Sequence, residues 1–136
     1  MFVEIKATQT LTELPSVAIV ILNWNGRKYL EQFLPSVVAT SYGNLRIIVA
    51  DNASTDESVL FLQEQYPNVE IILNNQNYGF AKGYNVALQL IHADYYMLLN
   101  SDVEVEPNWI DPMVKLMKED ENIASCQPKI LSYANK

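Results

Sequence analysis

The chain has 136 residues, 49% of them hydrophobic and 18% charged, enough for one globular domain with a real core and too few for a second. Nine basic residues against sixteen acidic ones give a formal charge of −7. No stretch gathers Lys or Arg on one face, which argues against nucleic acid as a partner.

The longest apolar runs are strand-sized, so none spans a membrane. Met1 to Leu14 carries Glu4 and Glu13 without a long apolar centre and does not read as a leader peptide. A cytoplasmic address is the expectation. Residues 1–14 are read as an N-terminal arm, in which FVEIKA leaves an edge strand open, and residues 15–136 as the domain. The one cysteine, Cys126, has no internal disulfide partner and reads as a small buried residue.

In chain order, VAIVIL (17–22) is a buried strand, short and rich in β-branched residues. The segment 27–40 follows with Tyr29, Leu30, Phe33, Leu34, Val37 and Val38 at helical spacing, and Pro35 is expected to kink or split that helix. LRIIVA (45–50) is the second strand. DESVLFLQEQYP (56–67) is the second helix, with acids in its first turn and Ser54 and Thr55 placed as caps before it. VEIIL (69–73), GFAKGYNVALQLIH (79–92) and YYMLL (95–99) continue the alternation as strand, helix, strand. A fourth helix is expected from Pro107 to about Glu119 with Met113, Leu116 and Met117 in the core, and IASCQPKIL (123–131) reads as one more strand. Trp24 and Trp109 are assigned to packing. His92 is assigned to a helix end, where a cation offsets the dipole. Strand and helix alternating in this way predict an α/β fold, with an open, mostly parallel sheet covered by helices on both faces.

Each strand is followed by short polar side chains. The first ends in Asn23, Trp24 and Asn25, the second in Asp51 and Asn52, the third in Asn74, Asn75, Gln76 and Asn77, the fourth in Asn100, Ser101 and Asp102. In a parallel sheet these carboxyl ends line one edge, where ligands bind. Asn and Asp also favour turns and caps, but all four loops share this composition and contain almost no glycine. NWNGRKYL has one glycine, which excludes the dinucleotide fingerprint and the P-loop. A phospho-acceptor receiver domain needs an acidic pair where this chain has Asn23 and Asn25. Side chains at i and i+2 of an extended segment share a face, so Asn100 and Asp102 are expected to reach one site while Ser101 points away. One carboxylate and one amide oxygen suit a hard cation that takes its remaining ligands from water and phosphate. Glu104 and Glu106 are expected to face solvent.

VAIVILNWNG, IIVADNASTDES, NNQNYGFAKGYNVAL and YYMLLNSDVEVEP together resemble the family 2 glycosyltransferases with the GT-A fold, and most of all their rhamnosyltransferase-like members. The resemblance runs from Val17 to about Ile130. It implies an inverting transferase that moves a sugar from a nucleoside-diphosphate donor, UDP- or dTDP-linked, to a hydroxyl on a glycan or lipid-linked glycan in bacterial surface polysaccharide synthesis. Many relatives work at the inner membrane face. On that likeness Asp51 accepts a hydrogen bond from a pyrimidine base, and Asn23 and Asn25 line the nucleoside. Asn77, Gly79, Lys82 and Asn85, with Gly83 allowing close approach, lie along the donor. Asn100, Ser101 and Asp102 match the DxD motif, with Asp102 and then Asn100 as ligands of Mn2+ or Mg2+ and Ser101 beside the donor. Asparagine replaces the first acid of a strict DxD.

A cation would neutralise charge developing on the leaving diphosphate, and an inverting transfer needs a general base for the acceptor hydroxyl. The family places that base well beyond its DxD, so the expectation here is a donor-binding half that lacks the acceptor-binding half and catalyses little by itself. Asp111, Glu119, Asp120 and Glu121 belong to a predicted surface helix and are not nominated. A sugar-nucleotide nucleotidyltransferase, which should carry a Gly- and Arg-rich first loop, and a non-catalytic nucleotide-binding or interaction module are the alternatives.

Overall fold

The computed structural model describes residues 14–133. FVEIKA lies outside the described residues. Four strands form one parallel sheet in the order β3-β2-β1-β4: β1 Val17–Asn23, β2 Leu45–Asp51, β3 Glu70–Leu73 and β4 Tyr95–Asn100. Between and after them lie α1 Arg27–Val38, α2 Ser58–Gln65, α3 Phe80–Leu88 and α4 Ile110–Glu119. The α/β expectation, with a parallel sheet and helices on both faces, holds.

β1 is central, and its two faces belong to two cores. Val17, Ile19 and Ile21 pack with α1, α2 and α4 through Leu30, Leu34, Val37, Phe61, Leu62, Ile110 and Val114. Ala18 and Val20 pack with α3 through Tyr84 and Ala87, and with Ile91 beyond it. Right-handed crossovers require this division, because the chain first steps outward from β1 to β3 and then crosses back past β1 to β4. Strand order therefore reverses between β1 and β4, where a ligand crevice is expected at the carboxyl ends.

Several expectations fail for identifiable reasons. Pro35 sits inside α1 without splitting it. Glu31, whose carbonyl loses its amide partner, and Pro35 both lie on the exposed side of the helix, where water can take that bond. Tyr29 and Val38, assigned to the apolar face, are exposed at 38% and 43%. α4 starts at Ile110 rather than Pro107, because residues 107–109 form a turn in which the Trp109 N–H bonds the Glu106 carbonyl. Of its three expected core residues, Met113 is buried, Met117 is half-buried and Leu116 is exposed. Residues 123–131 form no strand. Pro128 removes a ladder donor, and Ile130 and Leu131 are exposed, at 77% and 67%. Cys126 in this segment is half-buried rather than buried. α3 ends at Leu88, so exposed His92 lies past the helix, where its carbonyl accepts from Arg46 Nη1 at 3.1 Å.

Candidate active site at the carboxyl edge

Side-chain parity divides the rim into two layers. Asn23 and Asp51 occupy the last register pair of β1 and β2 and share the α1/α2 face with Ile21 and Val49. Asn23 Nδ2 donates to Asp51 Oδ2 at 2.9 Å and to Ser54 Oγ at 3.2 Å, while Asp51 Oδ1 accepts the Ser54 N–H at 2.8 Å. The fractional exposures are 0% for Asn23 and 2% for Asp51. Asn23 thus stands behind Asp51 rather than on the cleft wall. Its Oδ1 is buried without a partner among the described residues, at a cost of about 1–3 kcal/mol for a polar atom removed from water.

Asn25 joins the first two loops. Its N–H donates to Ser54 Oγ at 2.8 Å, and its Oδ1 accepts the Thr55 N–H at 2.8 Å and the Asp56 N–H at 3.3 Å. Ser54 and Thr55, expected as caps of α2, make no cap bond to it, since both are taken up by the first loop. Asp56 bridges the starts of two helices by accepting the Arg27 and Ser58 N–H groups at 3.1 and 3.0 Å. Burial pushes the Asp56 carboxyl up, but the hydrogen bonds from Ser58 and Arg27 outweigh it and hold the group below the usual carboxylate range. Trp24, assigned to packing, is 57% exposed between these two asparagines.

The second layer lies on the α3 face and is organised by Asn52, to which the sequence assigns no site role. Asn52 Oδ1 accepts from Asn74 Nδ2 at 3.0 Å and from the Tyr78 N–H at 3.2 Å; its Nδ2 donates to Asn77 Oδ1 at 2.8 Å and to the Gly79 carbonyl at 3.1 Å. Asn77 Oδ1 also takes the Gly79 N–H at 2.8 Å, so its oxygen serves the loop. Gly79 adopts φ +74° and ψ −168°, a region open to glycine alone. A Cβ on Gly83 would lie 3.0 Å from Leu22 and 3.1 Å from Asn52 Nδ2, so its close approach is to the sheet rather than to a ligand. Lys82 and Asn85 lie on the exposed side of α3, with Lys82 Nζ 4.8 Å from the Tyr78 ring centroid.

β4 stops at exposed Asn100, and Ser101 and Asp102 turn away from the strand, so strand alternation does not carry past Asn100. Ser101 Oγ lies 3.7 Å from where a Gly26 Cβ would be, which brings the fourth loop against the first. Tyr84 ties α3 to this corner: its hydroxyl donates to the Leu99 carbonyl at 2.9 Å and accepts the Leu22 N–H at 3.4 Å. Burial raises the Tyr84 phenol above its ordinary range, opposed by the Leu22 bond. A separate hollow of about 320 Å³ between α1 and α2 is lined by Glu31, Glu57, Glu64 and Arg27. Arg27 is already committed there, to Glu31 at 2.8 Å and to the Phe61 ring at 3.6 Å. The polar loops do not line this hollow. Among the described residues, no three His, Cys, Asp or Glu side chains group to hold a metal.

The sequence pattern of glycosyl transferase family 2 matches residues 16–134, nearly the whole chain. The chain belongs to glycosyl transferase family 2. An uncharacterized glycosyltransferase of Haemophilus influenzae is 27% identical over 82% of this chain and 35% of its own length. Chondroitin synthase of Escherichia coli is 28% identical over 85% of this chain and 17% of its own. A putative teichuronic acid biosynthesis glycosyltransferase of Bacillus subtilis is 28% identical over 77% and 43%. The chain therefore spans less than half of each of these family 2 relatives. Among solved structures, Staphylococcus aureus TarS 1–349 in complex with UDP-GlcNAc superposes with a TM-score of 0.68 at 19% identity, over 76% of this chain and 31% of that one. A mannosyltransferase from Pyrobaculum calidifontis in complex with GDP-Man and Mn2+ gives 0.59 at 24%, over 68% and 29%. These two likenesses concern the fold.

Proposed function

We propose that this family 2 domain binds a nucleoside-diphosphate sugar along its carboxyl edge and serves an inverting transfer to a hydroxyl of a bacterial surface glycan. The observation that carries the reading is the buried Asn23–Asp51 pair, set at the ends of adjacent strands beside the reversal of strand order. Asp51 reads the base through what little of its carboxylate is exposed. Trp24, solvated next to it, offers a face for stacking. Asn25 holds the first loop on the second, and Asn77 and Gly79 shape the third for the donor. Lys82 and Asn85 on α3 contact its phosphates or sugar, and Ser101 closes the fourth loop onto the first. Relatives named for chondroitin and teichuronic acid synthesis, and a neighbour solved with UDP-GlcNAc, support a UDP-linked hexose as the donor; dTDP and rhamnose rest on the sequence resemblance alone.

Asp102 and Asn100 fit a hard cation such as Mn2+ or Mg2+, because they supply one carboxylate and one amide oxygen; among the described residues no group of three His, Cys, Asp or Glu forms a fuller set. That partial set suits an ion whose other ligands are diphosphate oxygens and water. Bound there, it would supply charge neutralisation to the leaving diphosphate. An acidic chain with no arginine cluster needs some such counter-charge. The described acids of α4, Asp111 among them, are exposed helix residues, and none is assigned as the base for the acceptor.

Thermal unfolding with UDP, dTDP and GDP, each with and without Mn2+, tests this. A ligand at a hundred times its Kd adds about 2.7 kcal/mol. Stabilisation should require a pyrimidine diphosphate and Mn2+ together and should disappear in Asp102→Ala and Asp51→Ala. No shift with any nucleotide in the otherwise folded chain overturns the reading.

A further inference from the structure

Asn23 is the most enclosed polar side chain at the carboxyl edge and cannot itself touch a ligand. Its amide must present the NH2 group to Asp51, since its oxygen there would face another acceptor. That choice turns Oδ1 toward Gly26, where it has no partner among the described residues. A Cβ on Gly26 would lie 2.3 Å from that oxygen, so glycine at 26 leaves room for the amide in this orientation. The arrangement leaves an acceptor unpaired and keeps the donor on Asp51.

The benefit falls to Asp51. With 2% of its surface exposed, this carboxylate can meet a ligand only along one edge, and it can do so only if its rotation is fixed. The Ser54 N–H fixes Oδ1 at 2.8 Å and the Asn23 amide fixes Oδ2 at 2.9 Å. Both donors are spent inside the protein, so the edge left to a ligand offers acceptor lone pairs alone. A uracil ring presents an N–H at N3, while a cytosine ring presents a lone pair at the same atom. A fixed carboxylate attracts the first and repels the second. A site built to receive a donor rejects the analogue that lacks it.

We propose that Asn23 is a positioning residue that sets base specificity: by holding Asp51 in one rotation it makes the site prefer a uracil nucleotide over a cytosine nucleotide. The proposal rests on the reading of Asp51 as the base contact. Asn23 acts through Asp51, so its effect depends on Asp51 being present.

The test measures UDP and CDP affinities by calorimetry with Mn2+ for the parent chain, Asn23→Ala, Asn23→Ser, Asp51→Ala and the Asn23→Ala/Asp51→Ala double variant. Asn23→Ala is expected to weaken UDP about tenfold, the order of one hydrogen bond to a charged group, and CDP much less. Asn23→Ser keeps a hydroxyl donor and should recover part of the UDP preference. In the Asp51→Ala background, Asn23→Ala should change neither affinity further. Equal weakening of UDP and CDP by Asn23→Ala, or further weakening in the Asp51→Ala background, overturns the proposal and leaves the base reading standing. A UDP preference unchanged in Asp51→Ala overturns the base reading, and the proposal with it. If Asn23→Ala does not melt cooperatively, Asn23→Leu, which keeps a similar shape without the donor, takes its place: a UDP preference lower than in Asn23→Ser supports the proposal, and equal preferences in the two variants refute it.

Discussion

Asn52 uses both hydrogens of its amide and accepts two hydrogen bonds on its oxygen, and it does so while almost fully buried. A buried polar side chain with every valence met stabilises one loop conformation, whereas Asn23 one residue earlier on the neighbouring strand leaves its oxygen unmet. The first builds a loop and the second serves the carboxylate beside it. Gly79, held by the same network, has open space around its missing side chain, so a methyl group there would clash with none of the described residues. Backbone strain is then the only penalty, and Gly79→Ala should lower stability by about 1–3 kcal/mol in urea titration. Asp51, Asn25, Asn77 and Asp102 were legible as a set of polar ends. Asn52 was legible among those ends but not as the organiser of the third loop, because in sequence it is one more asparagine in a turn-rich loop; its side chain falls on the α3 face, opposite to Asp51, and parity would have marked it.

At the scale of elements, β4 shows what one strand can do on two faces. Leu99 is buried against the α1, α2 and α4 core, while Leu98 and Tyr96 point to the α3 side and stay exposed at this edge of the sheet. Leu99→Ala should therefore cost about 2–5 kcal/mol, by lost burial and a cavity. Leu98→Lys should stay within about 0.5 kcal/mol of the parent in the same titration. The sequence marks YYMLL as a strand, but its apolar composition does not tell an edge strand from a central one. Toward the opposite edge, Arg46 Nε and Nη2 each meet a Glu70 oxygen at 2.7 Å across β2 and β3. Both partners are nearly half solvated, so the pair contributes at most about 1 kcal/mol. In α1, Pro35 shows a local rule overridden, since exposure of the freed carbonyl lets the helix continue.

Across the whole molecule, Asp94 joins the starts of β1 and β4, accepting the Ser16 hydroxyl and N–H, each at 2.7 Å. The Ser16 hydrogen bonds hold the Asp94 carboxyl below the usual carboxylate range, and the Arg46 guanidinium does the same for Glu70. Groups depressed in the folded chain stabilise it fully above the unfolded carboxylate range. That stabilisation is lost as the pH falls through their folded values, so the urea midpoint should hold near neutrality and drop below about pH 4. Asp94→Asn should flatten part of that acid loss, because its titration is then gone from both states. An unchanged acid limb in Asp94→Asn would show that the clamp does not couple to folding. At the same scale, 3-2-1-4 order places two cores on one central strand and the polar ends of three strands beside one reversal.

The amino-acid sequence by itself determined the alternation of strands and helices, the polar character of every carboxyl end, and the motif order that resembles family 2, because periodicity and residue type are local properties. Only the tertiary structure decided that Asn23 is enclosed and Trp24 solvated. It also decided that Ser54 and Thr55 serve the first loop instead of capping α2, and that residues 123–131 pair with no strand. Each of these depends on which neighbour the fold brings within hydrogen-bond reach or leaves open to water. Contacts of that kind, between residues about thirty apart, have no trace in local composition or spacing.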